Sequence, residues 1–172
     1  MGILVESKTR KRRLLANATI TRTSVLVIAA MIGMYAAELS LPMTSGSPGS
    51  VLLLPVTFAS QSGAAAGLQF DLQYDSSNLN LSITVGGATR SSGKTLSFSD
   101  LAQGRKRFLI TGLNQNPLVD GALVNLSISL NPGASSGTYP LRILNVVGAD
   151  PSAQALNLSY ALCLTACWRA EL

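Results

Sequence analysis

The chain has 172 residues, 47% of them hydrophobic and 12% charged, which allows one domain with a proper core and excludes charge-driven disorder. Its net charge of +5 does not indicate nucleic acid, because six of the thirteen bases precede position 23 and from Leu41 onward seven bases face six acids. Histidine is absent, which excludes imidazole acid–base chemistry, Ser-His-Asp and Cys-His arrangements, and His-ligated zinc.

The early bases are Lys8, Arg10, Lys11, Arg12, Arg13 and Arg22, and an uncharged run follows at residues 23–37 (TSVLVIAAMIGMYAA). Basic, then apolar, then small residues is the layout of a secretory signal. The run is short of the roughly 18–20 apolar residues of a transmembrane helix. A cleavage site wants small residues at both −3 and −1, but Met34 precedes Ala36 and Tyr35 precedes Ala37. A cleaved signal and an uncleaved anchor, basic end in the cytoplasm, both stay open. Residues 1–40 are therefore read as an export helix, 41–50 as a Pro/Gly/Ser linker, and 51–172 as one domain, secreted or tethered to the membrane.

Within that domain the main signal is period-2 alternation in short runs. Residues 51–58 (VLLLPVTF) read as a strand in which Pro55 calls for an edge or a bulge. Leu68, Phe70, Leu72 and Tyr74 alternate with Gln69, Asp71 and Gln73. Asp75-Ser76-Ser77-Asn78 is a turn, because Asp and Asn side chains bond their own backbone. Leu79, Leu81, Ile83 and Val85 form the next apolar stripe, closed by Gly86-Gly87. Further strands are expected at 94–98, 107–113, 122–130, 139–147 and 155–164, with no helix beyond the export segment. Eight or nine strands at roughly ten-residue spacing predict an all-β sandwich or jelly roll.

The order of these segments resembles the cohesin family, a nine-stranded β-sandwich related in fold to carbohydrate-binding modules. The similarity lies in residues 51–58, then Gly67-Leu68-Gln69-Phe70-Asp71-Leu72-Gln73-Tyr74-Asp75, then 107–113, then Leu118-Val119-Asp120-Gly121-Ala122-Leu123, and Gly148-Ala149-Asp150. The resemblance implies a non-catalytic receptor that binds a dockerin-type protein through one sheet face. On that basis Gln69, Asp71, Gln73 and Asn114 are the candidate partner face. The chain departs from the family where Gly67 and Leu68 replace polar residues and where Thr111-Gly112-Leu113-Asn114 lacks an acidic one; it looks more like single modules outside cellulosomes. A polysaccharide-binding module and a structural surface or pilus subunit are the alternatives.

No cofactor is expected. The domain carboxylates Asp71, Asp75, Asp100, Asp120 and Asp150 show no glycosidase-like pair, and Asp75, Asp120 and Asp150 sit in turn contexts that favour backbone capping. No Asp-x-Asp-x-Asp loop is present, so calcium would need loop carboxylates combined with backbone carbonyls. Arg105-Lys106-Arg107 reads as a solvated turn. The aromatics, Phe98 included, fall mostly on the apolar side of their strands, which argues against a sugar-stacking stripe. Cys163 and Cys167 would stand roughly 13 Å apart on a continuous strand, so a disulfide needs a turn between them; otherwise they are small apolar fillers. Asn80-Leu81-Ser82, Asn125-Leu126-Ser127 and Asn157-Leu158-Ser159 fit glycosylation acceptors, but outward polar pairs around an inward Leu account for them equally well.

Overall fold

A computed structural model describes residues 37–47, 49–102 and 104–160, together with the backbone of 164–168. The elements run β1 (Ala37–Ser40), β2 (Thr44–Gly46), β3 (Val51–Ser60), β4 (Gly67–Gln73), β5 (Leu79–Val85), α1 (Gly87–Ser91), β6 (Thr95–Leu101), β7 (Arg105–Thr111), β8 (Gly121–Leu130), β9 (Gly137–Ala149), β10 (Ala155–Leu156), β11 (Leu158–Tyr160) and β12 (Leu164–Trp168). They build two sheets. One has the order β11-β1-β3-β8-β5, and the other β2-β12-β9-β4-β7-β6 with β10 added on β9.

The alternation read from the sequence decides which side chains meet between the sheets. Leu52, Leu54, Val56 and Phe58 on β3 and Val124, Leu126 and Ile128 on β8 face Leu68, Phe70 and Leu72 on β4 and Phe108 and Ile110 on β7. Phe70 and Phe108 are cross-strand partners whose rings stack at 4.8 Å between centroids and 9° between planes. Full burial of side chains this large stabilises the fold by about 1.5–3 kcal/mol each. The all-β sandwich is as expected, and the short strands β1, β2, β10, β11 and β12 raise the number among the described residues above the expected nine.

Several boundaries differ from the expected ones. The domain does not begin at position 51: Ala37 and Leu39 are fully buried, and β1 pairs with β3 and β11. The expected linker likewise contains β2, which pairs with β12. Three or four residues are too few for a visible period, which is why these strands escaped the pattern. A five-residue helix, α1, was also unexpected; it buries Ala88 and Thr89, and the Thr89 hydroxyl donates to the Leu123 carbonyl at 2.8 Å. The expected strand at 155–164 breaks at Asn157, where the chain passes from one sheet to the other.

Pro55 sits in the middle of its sheet rather than on an outer edge. It is tolerated because β1 pairs only with residues 57–60, leaving β3 with one paired side at Pro55, and a register shift follows at Val56/Thr57. Among the described residues, no helix is long and apolar enough to cross a membrane. The export segment through Ala36 lies outside them.

Candidate partner-binding face

Because side chains alternate across a sheet, the residues of β4 that do not enter the core must lie on the outer face of the second sheet. These are Gln69, Asp71 and Gln73, and their registers on both sides define rows. Gln73 is opposite Arg105 of β7 and Arg142 of β9; Asp71 is opposite Arg107; Gln69 is opposite Leu109 and Val147. Arg105-Lys106-Arg107 is therefore not a turn. It is the start of β7, and its alternation sends Lys106 inward, where it pairs with Asp100 of β6, and the two arginines outward. The strand pattern was visible from Arg107 on; the two preceding bases masked its first positions.

Asp71 is the centre of this face and is fully buried. Arg107 donates from Nε to Oδ1 at 2.7 Å and from Nη2 to Oδ2 at 3.0 Å. Asn145 donates from Nδ2 to Oδ2 at 2.8 Å. The position of Asn145 comes from a bulge: between Gln69 and Asp71 the β9 strand spends one extra residue, and Asn145 takes φ of 50°. Asn tolerates that left-handed conformation better than most residues, and a bulge of this kind re-aims a side chain. The Arg107 hydrogen bonds hold the Asp71 carboxyl below its ordinary pKa, against the opposing effect of burial, with Asn145 assisting. Asp71 thus offers no free oxygen to a partner; it orders the residues that do face outward.

On either side of this clamp the face changes character. Leu109 and Val147, 39% and 57% exposed, form an apolar end. At the other end Gln73, Tyr74, Asp75, Pro140 and Arg142 line a shallow depression of about 220 Å³. The Asp75 carboxylate is occupied there by Ser77 and Asn78, whose hydrogen bonds lower its pKa.

Asn114 does not join the face. Its Nδ2 donates to the Gly93 carbonyl at 2.8 Å, its own carbonyl accepts from Lys94 Nζ at 2.8 Å, and it holds the loop after β7 to the turn after α1. Asp150 accepts from the Ser152 and Gln154 amides, as a turn carboxylate should, but Asp120 does not cap its own turn: it accepts from the amide and hydroxyl of Ser60 at the end of β3, which lower its pKa. Among the described residues no three Cys, Asp or Glu converge as a metal site. Phe98 departs from the expected core packing: it is 51% exposed, tilted against Phe108 with Lys106 Nζ 5.5 Å from its ring centre. Cys163 lies outside the described residues, and Cys167 is placed by backbone only, opposite Thr138 and Ser45.

Solved structures share this architecture. The sixth cohesin of Acetivibrio cellulolyticus scaffoldin B, solved with a Cel5 dockerin, aligns over 78% of this chain and 99% of its own, with a TM-score of 0.66 and 19% identity. The CaCohA2 cohesin of Clostridium acetobutylicum aligns over 78% and 91%, at 0.66 and 20%. A non-cellulosomal cohesin from the archaeon Archaeoglobus fulgidus aligns over 78% and 91%, at 0.63 and 12%. No curated protein sequence matches the chain. The cohesin domain family model matches residues 37–157, from the first residue of β1 to the break after β10 and well over half of the chain, and the chain therefore belongs to the cohesin domain family.

Proposed function

We propose that this protein is a non-catalytic docking receptor that binds a dockerin-type partner protein on the outer face of the sheet containing β4. The Asp71–Arg107–Asn145 clamp carries this reading: it rigidifies an exposed sheet face that has an apolar end and a polar end, the preorganisation that lowers the entropic cost of association. Cohesin structures similar to this one are complexes with dockerins, which supports the choice of partner. A non-catalytic role agrees with the absence of histidine and with carboxylates spent singly on turns and ion pairs.

The module works outside the cytoplasm in this reading, supported by the basic and then apolar order of residues 8–37. Since β1 starts at Ala37, a cut that leaves the sandwich whole falls no later than the Ala36–Ala37 bond. Surface plasmon resonance of the full chain in mild detergent against a panel of dockerins tests the proposal. Binding that is lost in Leu109→Glu/Val147→Glu, at unchanged thermal midpoint, is the expected result. Folded protein that binds no dockerin, or binds the double variant equally well, rejects it.

A further inference from the structure

The outer face of the second sheet carries a charge that its own acids do not neutralise. Arg107 is spent on Asp71. Arg105 and Arg142 flank Gln73 in a single row, one on each neighbouring strand, and among the described residues neither makes an ion pair or a side-chain hydrogen bond. The nearby Asp75 is engaged by its own turn. Two strand spacings separate the backbones of the arginines by about 10 Å. A helix laid along β4 is about 10 Å across and fits between them, reaching each arginine with a carboxylate from one of two adjacent positions, i and i+1, which project to its two flanks. The apolar pair Leu109 and Val147 lies four residues along β4, roughly 13 Å away.

We propose, resting on the receptor reading above, that the partner segment is an acidic helix which sets carboxylates against Arg105 and Arg142 and apolar side chains against Leu109 and Val147. Arginine suits this task because its planar fork binds carboxylate with two parallel hydrogen bonds. The apolar end favours a protein over a nucleic acid, whose backbone would leave Leu109 and Val147 uncovered. Charge complementarity of this kind selects partners and speeds association more than it adds raw affinity.

The probes are two helical peptides of roughly 16 residues, alike except that one carries Glu and the other Lys at the adjacent i and i+1 positions, with Leu at i+7 and i+8, about 12 Å further along the helix. Both are measured by surface plasmon resonance on the full chain, beside a dockerin panel and a single-stranded oligonucleotide. The Glu peptide should bind at least about tenfold tighter than the Lys peptide, its association should slow steeply with added salt, and Arg105→Gln/Arg142→Gln should abolish the preference at unchanged thermal midpoint. Equal binding of the two peptides, a preference that survives in the double variant, or an oligonucleotide that competes the Glu peptide away overturns the proposal. Dockerins that bind wild type and double variant alike also overturn it while leaving the receptor reading intact. A Glu preference without any dockerin binding supports the acidic partner and refutes the dockerin.

Discussion

Replacing Asp71 by Asn changes one charge and almost no volume at the centre of the outer face. The carboxylate accepts three hydrogen bonds, two from Arg107 and one from Asn145. An amide keeps one oxygen, best turned to Arg107 Nε, and Asn145 can flip its own amide to accept from the new NH2. The Arg107 Nη2 donor is then left without its acceptor. Hydrogen bonds to charged groups contribute about 1.5–3 kcal/mol, and a buried ion pair that loses one partner costs more. The Arg107 side chain is 40% exposed, so water takes over the released donor and the loss at Asp71 falls near the low end, about 1.5–2.5 kcal/mol. For a chain of this size that lowers the thermal midpoint by roughly 3–10 °C.

The pH dependence adds a second, independent reading of the same pair. Asp71 has a folded pKa below its unfolded value of about 3.9. Its contribution is therefore present above that unfolded value and is lost as pH falls through the folded one. Asp75 and Asp120 are lowered too, but they are present in both proteins and cancel in the difference. Urea unfolding of wild type and Asp71→Asn, followed by circular dichroism, should show a constant gap from pH 7 to about 5 that narrows below pH 4. A gap at pH 7 under about 0.3 kcal/mol, or one of equal size at pH 3, refutes the clamp.

Phe108→Ala should cost about 3–5 kcal/mol, and its partner's ring loses its stack as well; the check is the urea midpoint, with Leu109→Ala as the outward-facing control expected within about 0.5 kcal/mol. Gly104→Ala should destabilise by about 1–2 kcal/mol, because φ is 64° and the new methyl meets the Tyr74 carbonyl, and a thermal melt reads it. A chain begun at Leu41 should lose at least about 3 kcal/mol relative to one begun at Ala37, since it forfeits the burial of Leu39 and all four β1 pairs with β3; equal urea midpoints would show that β1 is dispensable.

The alternation of Leu68, Phe70 and Leu72 with Gln69, Asp71 and Gln73, repeated in the 79–85 and 122–130 runs, was enough to determine an all-β chain and to sort most residues to the core or the outer side, since a strand has only two faces. The order of the segments carried the cohesin resemblance, and the turn roles of Asp75 and Asp150 were legible because such contacts reach only a few residues, whereas Asp120 bonds Ser60, sixty positions away. What the sequence could not disclose depends on which strand lies beside which. Asp71 looks like any outward polar residue until β7 and β9 bring Arg107 and Asn145 to it from 36 and 74 positions away. Arg105 and Arg142 become one row only through the register on either side of Gln73, and Ala37–Ser40 becomes a strand only because β3 and β11 provide its hydrogen bonds. Periodicity is a local property of the chain, whereas register, burial of a charge and the neighbours of an edge are set by pairings between distant segments.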